Sequence, residues 1–154
     1  MVTMTTFEAR TDIAATPSRV WDELLDLTAW PSRDTSLGRL EGSLVPGGRV
    51  TIHVEGSSRA FRLRVVELEP GRRVVLRGGM PLGLFSGTRH YTLEPSGDGR
   101  TTFTMAETYA GLLSPLVTRS IPDMQPAFEA FAAGLRRDAE AATSVATHDR
   151  EDRA

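Results

Sequence analysis

Two charged residues at matching positions of two predicted strands are the best candidates for chemistry in this sequence. Alternate residues of a strand face the same side, so the inward face set by Phe103 and Met105 continues to Glu107. If the turn before that strand centres near Asp98, Arg89 on the preceding strand lies directly opposite Glu107. The sequence therefore predicts an Arg–Glu pair on an otherwise apolar face.

Such a pair has two interpretations, and the sequence leaves both open. It is either a structural ion pair that satisfies two partly buried charges, or part of a ligand site. In the second case Arg89 anchors a carbonyl or carboxylate group, because a guanidinium donates hydrogen bonds in a fixed fork. Glu107 would then be a general base, with Tyr109 on the same face as a third candidate catalytic residue.

Other reactive groups are missing or badly placed. All 18 basic residues are Arg and there is no Cys, which excludes lysine and thiol chemistry. His53 and His90 alternate with inward residues and are expected to face outward, while His148 lies near the C-terminus. Metalloprotease, nucleophile-elbow and phosphate-loop patterns do not occur. We therefore expect no metal and no cofactor.

Composition predicts one soluble domain. The chain has 154 residues, 40% of them hydrophobic, and a net charge of −2, which suits a single core and does not favour disorder. The even spread of Arg argues against a nucleic-acid partner. No apolar run approaches a membrane span, and the first residues do not resemble a signal peptide, so we expect a cytoplasmic protein without stable membrane insertion. The sequence leaves open whether it is a monomer or a homodimer.

The N-terminal third predicts one strand followed by short helices. Residues 7–14 alternate like a strand, and Thr16-Pro17 is typical of a helix start, with a hydroxyl N-cap before a proline. Apolar residues then recur at helical spacing up to Leu25. We expect Trp30-Pro31 to end this helical region, because the residue before a proline disfavours helix.

The middle of the chain predicts an antiparallel meander of six strands between Leu37 and Tyr109, separated by turns rich in Gly and Pro. One connection differs from the others. Residues 78–87 combine glycines with apolar side chains, and we expect a loop there. That loop either gates the mouth of a cavity or caps the core, and the sequence does not decide between the two.

The C-terminal part predicts a long helix. Apolar residues recur at steps of three and four from Ile121 to Ala142. Pro122 fits the first helical turn, Pro126 is expected either to kink the helix or to restart it, and residues 112–120 form a preceding helical stretch. Residues 1–142 would be the domain and residues 143–154 a polar, disordered tail. The fold class is α+β: a curved antiparallel sheet of about seven strands around a C-terminal helix, with two short helices after the first strand.

Several segments in this order resemble a known family. They are Thr16-Pro17-x-x-Val20-Trp21 with Trp30-Pro31, then Leu68 to Leu76, Gly83 to Gly87, Tyr91 to Pro95, and Glu107 to Leu113. Together they resemble the START/Bet v 1-like helix-grip (SRPBCC) superfamily, in its polyketide cyclase/dehydrase and lipid-transport branch. The chain departs from many relatives at Ser32-Arg33-Asp34 and at Arg89, where they carry other residues.

The resemblance implies an apolar ligand held between the concave face of the sheet and the long helix. The expected role is a small-molecule binding protein for a lipid-like or polyketide-like ligand. The alternative is a polyketide aromatase/cyclase or dehydratase, and a protein-interaction role ranks last. The candidate ligand-binding residues are Trp30, Phe61, Leu63, Leu76, Met80, Phe85, Tyr91, Phe103, Met105, Met124, Phe128 and Phe131.

Overall fold

Seven antiparallel strands form one sheet, in the order β1-β7-β6-β5-β4-β3-β2. The computed structural model describes residues 4–151 and 153, with the side chains of residues 7–144, 150 and 153. The strands are β1 (Met4–Ile13), β2 (Leu37–Gly42), β3 (Arg49–Val54), β4 (Ala60–Glu69), β5 (Arg73–Met80), β6 (Phe85–Pro95) and β7 (Thr101–Ala110). We call the end of the sheet that carries Gly111 and the turn at residues 81–84 the mouth.

Four helices accompany the sheet, two after β1 and two after β7. They are α1 (Pro17–Leu25), α2 (Trp30–Arg33), α3 (Ser114–Val117) and α4 (Gln125–Glu151), with single 3-10 turns at Leu27–Ala29 and Thr118–Ser120. The predicted fold class is confirmed: a seven-stranded antiparallel sheet, two short helices after the first strand, and one long C-terminal helix. Within the part of the chain that the structure describes, no helix has the length and hydropathy of a membrane span.

The start of α1 follows the predicted signal. The Thr16 hydroxyl accepts a hydrogen bond from the backbone N–H of Arg19 at 3.3 Å, which satisfies a donor that the first helical turn leaves unpaired. Pro17 occupies the first helical position, where the missing N–H has no consequence. Val20, Trp21 and Leu24 then form the buried face of the helix.

Two of the other prolines, Pro31 and Pro122, behave differently from the prediction. Pro31 lies in the first turn of α2, so Trp30-Pro31 begins a short helix instead of ending the helical region. Pro126 is the second residue of α4, so the helix starts there without a kink, which is one of the two predicted outcomes, whereas Pro122 precedes the helix. The physical reason is the same for Pro31 and Pro126, because a proline at the start of a helix loses no hydrogen bond. The helix also continues past Ala142, the end of the apolar pattern, to Glu151.

The predicted glycine-rich loop at residues 78–87 is mostly strand, which corrects its extent. Gly78 and Gly87 are paired residues of β5 and β6, and only residues 81–84 form the turn. Gly78 is retained in a strand because the Leu63 side chain covers it: a Cβ atom at Gly78 would lie 2.6 Å from Leu63 Cδ2. The mouth is therefore bordered by a hairpin rather than by a long loop.

Four aromatic rings fill the space between the sheet and α4 away from the mouth. The Phe131 ring lies 5.0 Å from Trp30, 6.0 Å from Tyr91 and 6.4 Å from Phe103. The Trp30 indole also donates a 2.9 Å hydrogen bond to the Leu24 carbonyl, so its polar atom is satisfied. This aromatic cluster is part of the hydrophobic core, at the end of the concave face away from the mouth.

Candidate functional site

The predicted pair of charged residues is confirmed. Arg89 of β6 is in register with Glu107 of β7. The Arg89 Nη2 and Nε atoms donate to Glu107 Oε2 at 2.7 and 3.2 Å. The two side chains are only 18% and 13% exposed. A hydrogen-bonded pair with so little solvent around it is a fixed, polar feature on the apolar face.

The long helix covers the guanidinium from above. The centre of the Arg89 guanidinium lies 4.8 Å from the centroid of the Phe128 ring, within the range of a cation–π contact. Phe128 in turn lies 5.8 Å from the Phe7 ring of β1. Arg89 is therefore held from two sides, by Glu107 within the sheet and by Phe128 from α4.

Tyr109 extends the polar site towards the mouth. Its ring stacks on Phe85 at 5.6 Å and lies across Gly87, where a Cβ atom would approach the ring to 3.2 Å and Glu107 Oε1 to 3.4 Å. Burial, and then the adjacent Glu107 carboxylate, raise the pKa of the Tyr109 hydroxyl. The phenol therefore stays protonated at ordinary pH and can donate a hydrogen bond or a proton.

Gly87 is a site residue that sequence reasoning missed. It lies on the inward face of β6, two residues before Arg89, opposite Tyr109. The available signal was a glycine at an inward strand position, which indicates that another group approaches the backbone closely. Here the group is the Tyr109 ring, which needs the missing side chain to lie against the sheet.

The twelve predicted ligand-binding residues divide by depth. Those buried in or next to the aromatic cluster are Trp30, Leu76, Tyr91, Phe103, Met105, Phe128 and Phe131. Leu63, Phe85 and Met124 are half-buried, and Phe61 and Met80 are 54% and 47% exposed. The structure thus brings Phe128 to Arg89 and Phe85 to Tyr109. The two exposed residues, Phe61 and Met80, lie towards the mouth end of β4 and β5.

The histidines lie away from this site, as the alternation predicts. On the outer face, His53 Nε2 is 3.3 Å from Glu41, and His90 Nδ1 is 3.0 Å from Arg73. Burial, and then the Arg73 charge, lower the pKa of His90. The side chain of His148 is outside the described residues. Among the residues that are described, no three His, Asp or Glu side chains come together as metal ligands.

An open groove of about 550 Å³ runs along the edge of the sheet, outside the concave face. Its walls are β1 and α4, and it is lined by Glu8, Ala9, Arg10, Thr11, Gln125, Glu129, Ala132, Ala133, Arg136, Arg137 and Glu140. It contains none of the predicted site residues. Because this groove is open to water and charged on both walls, we place the candidate site at Arg89 and Glu107, where polar groups meet an apolar surface.

Comparison with known sequences identifies the family. Residues 4–140 match the sequence profile described as polyketide cyclase / dehydrase and lipid transport. The chain belongs to this family. No curated protein sequence matches the chain. The site described above therefore lies on the concave face of a family member, within the matched residues.

Solved structures show the same fold for this polyketide cyclase/dehydrase family member. A hypothetical protein from Helicobacter pylori is 17% identical, with a TM-score of 0.69 and 86% of each chain covered. The Zhui aromatase/cyclase from a Streptomyces species is 14% identical, with a TM-score of 0.68, covering 90% of this chain and 94% of the other. Norcoclaurine synthase from Thalictrum flavum, in complex with dopamine and hydroxybenzaldehyde, is 13% identical, with a TM-score of 0.65, covering 88% and 86%. At these identities the likeness concerns the fold alone.

Proposed function

We propose that the protein binds an apolar small molecule, of lipid-like or polyketide-like character, which carries a carbonyl or carboxylate group. The observation that supports this most is the fixed Arg89–Glu107 pair, with an Nη2–Oε2 distance of 2.7 Å, on the apolar concave face. Membership of a family described by polyketide chemistry and lipid transport supports the same ligand class.

The ligand would bind at the mouth half of the concave face. The aromatic cluster fills the other half, so the apolar part of the ligand would lie along Phe85 and Phe128. Both Arg89 donors described above go to one oxygen of Glu107. Tyr91 also interacts with Arg89 through a side-chain hydrogen bond. Because a guanidinium has five N–H donors, those not bonded to Glu107 or Tyr91 would be available to the ligand.

Paired probes test this site. We expect 2-naphthoate to bind more tightly than its uncharged methyl ester, measured by fluorescence titration. The double variant Arg89→Gln/Glu107→Gln replaces the ion pair by a neutral pair, so that no buried charge is left alone. It should lose about tenfold in affinity for 2-naphthoate and retain its affinity for the ester.

Arg10→Gln is the matched control, because Arg10 lines the open groove beside β1. It should leave the affinity for both probes unchanged. If Arg10→Gln removes the preference for 2-naphthoate and the double variant keeps it, the ligand binds in the groove and the proposed site is wrong. Failure of the wild type to bind either probe would also contradict the proposal.

A second candidate function, polyketide aromatase/cyclase or dehydratase, is favoured by the contact between Tyr109 and Glu107. Glu107 Oε1 would accept a proton from a carbon next to a carbonyl, and the enolate carbon would attack a second carbonyl of the same chain, forming a carbon–carbon bond. The Tyr109 hydroxyl would protonate the resulting alkoxide and regain its proton from Glu107. Loss of water from that alcohol then forms the double bond.

Turnover separates an enzyme from a carrier. With a synthetic poly-β-ketone thioester as substrate, Glu107→Gln and Tyr109→Phe should each lower the rate about 100-fold if these groups transfer protons. Circular dichroism would show that both variants remain folded. Unchanged turnover in Glu107→Gln would contradict the catalytic role and leave Glu107 as the partner that positions Arg89.

A further inference from the structure

Apolar side chains are exposed around the mouth. Leu82 is 94% exposed in the turn between β5 and β6, and Leu112 is 84% exposed just after β7. The two segments are joined, since the Leu113 N–H donates to the Leu84 carbonyl at 2.8 Å. We call the exposed set the mouth patch: Met80, Leu82, Leu112 and Leu116. Exposed apolar side chains grouped in this way indicate a contact surface.

The backbone at Leu82 supports a role for this exposure. Leu82 has a φ of 62°, and it is the one non-glycine residue with positive φ among the described residues. A branched side chain is strained in this conformation, which glycine or asparagine adopts more readily. A large apolar side chain is thus held in solvent by an unfavourable backbone conformation, and strain of this kind occurs at functional positions.

The surroundings of the mouth patch carry positive charge and few carboxylates. Residues 78–93 and 110–122, which contain the patch, include no Asp or Glu. On the outer face beside it, Arg49, Arg64 and Arg77 are directly opposite one another on three adjacent strands. None of the three takes part in an ion pair among the described residues. We call them the arginine row.

The arginine row has an energetic cost in the isolated protein. Like charges directly opposite each other across strands destabilise a sheet. Arg77 is three residues from Met80 on the same strand, which places it about 10 Å from the mouth patch. Glu67 lies on the same outer face, opposite Val75, and its ion pair is with Arg73 at 3.6 Å rather than with a member of the row. An anionic surface that contacts the mouth would relieve this repulsion.

We propose that the mouth docks reversibly on an anionic lipid bilayer, with the leucines of the mouth patch in the acyl boundary and the arginine row at the phosphates. Leu82 and Leu112 are almost fully exposed, and protruding apolar side chains flanked by Arg suit a membrane interface. Docking in this orientation would bring the candidate site to the membrane surface. The proposal does not depend on which ligand the site binds.

Vesicle co-sedimentation tests the proposal. We expect the wild type to bind phosphatidylcholine vesicles that contain about 30% phosphatidylglycerol, to bind pure phosphatidylcholine much more weakly, and to lose binding as salt is raised. Leu82→Asn/Leu112→Ser should weaken partitioning about tenfold or more. Asparagine is chosen at position 82 because it tolerates the positive φ.

Two controls separate the contributions of the leucines and the arginines. Val45→Ser changes an apolar side chain that is 48% exposed between β2 and β3, outside the mouth, and should not alter binding. Arg64→Gln/Arg77→Gln should remove the preference for anionic vesicles, while Arg72→Gln/Arg137→Gln, which removes the same charge elsewhere, should not. The proposal is overturned if the wild type does not bind anionic vesicles, or if the leucine variant and Val45→Ser bind equally well.

Discussion

Arg33 shows how one residue can join two parts of the molecule. Its side chain is fully buried, with Nε 2.9 Å from Asp138 Oδ2 of α4 and Nη1 3.2 Å from the Glu23 carbonyl of α1. The guanidinium lies 5.7 Å from the Phe131 ring. Gly134 allows this contact, since a Cβ atom there would lie 2.7 Å from Arg33 Cγ. Arg33 therefore fixes α2 against the long helix.

Removal of this side chain should destabilise the fold. We expect Arg33→Ala to lower the free energy of unfolding by about 2–3 kcal/mol, below the range for fully buried pairs because Asp138 is partly exposed. Urea denaturation measures the change. Arg137→Ala is the matched control, because Arg137 also pairs with Asp138 but is largely exposed; its effect should be about 0.5 kcal/mol. Equal effects in the two variants would show that burial of Arg33 has no energetic importance.

The pairing of Arg89 with Glu107 could be predicted from the sequence, but the buried contacts of Arg33 could not. The register of β6 and β7 follows from two short-range facts, the alternation of side chains and the position of one turn. Arg33 depends on contacts with Glu23 and with Asp138, 105 residues away. A buried arginine with distant partners cannot be distinguished from a surface arginine by local pattern alone.

Among the elements, β1 is an edge strand that the long helix protects. The Glu8 N–H donates to Gln125 Oε1 at 3.3 Å, and Gln125 Nε2 donates to the Glu8 carbonyl at 2.6 Å. The Ala14 N–H donates to Glu140 Oε1 at 3.0 Å. Side chains from two positions of α4 thus satisfy backbone groups that an edge strand would otherwise expose to other chains.

The Glu140 contact makes the stability depend on pH. The Ala14 N–H, and then Arg136, lower the pKa of Glu140 below its ordinary value. A carboxyl group whose pKa is lowered by folding stabilises the folded state above its unfolded pKa, and that contribution is lost as the pH falls through its folded pKa. At about pH 7, Glu140→Gln should therefore lower the free energy of unfolding by an amount below about 1 kcal/mol. At about pH 3 the same substitution should have a smaller effect, because the carboxyl group is then largely protonated in the wild type.

Urea titrations at both pH values measure this difference. Glu94→Gln is the control. Glu94 is exposed on β6 and forms no ion pair among the described residues. A loss of stability in Glu140→Gln that is the same at both pH values would indicate that the hydrogen bond matters and the charge does not.

Most helices and strands could be predicted from the sequence. The prediction was less certain at proline and glycine, because each can lie either within a helix or strand or at its end. The strand order and the short helices after β1 follow from periodicity and from turn residues. The sequence leaves open whether Pro126 kinks or starts a helix, because a local pattern does not say where a helix begins; the structure begins α4 one residue before it, at Gln125. Gly78 and Gly87 suggested a loop because the side chains that cover them, Leu63 and Tyr109, come from other strands.

Over the whole molecule, the concave face divides into an aromatic half and a half that carries the candidate site. The aromatic cluster around Phe131 occupies the first, and the Arg89–Glu107 pair under Phe128 occupies the second. Both phenylalanines belong to α4 and are nearly fully buried, at 1% for Phe128 and 3% for Phe131. They differ in what they touch, which allows stability and ligand binding to be separated with one pair of variants.

We expect Phe131→Ala and Phe128→Ala to lower the free energy of unfolding by similar amounts, about 3–5 kcal/mol each, because each removes a buried ring. Only Phe128→Ala should weaken 2-naphthoate binding, by about tenfold, since it removes both the cation–π contact with Arg89 and the apolar wall beside it. Phe131→Ala should bind the probe within about twofold of the wild type when the folded fraction is taken into account. Urea denaturation and fluorescence titration on the same samples provide both quantities. Weakening of equal size in the two variants would mean that the ligand reaches the aromatic cluster, and the division into two halves would then be wrong.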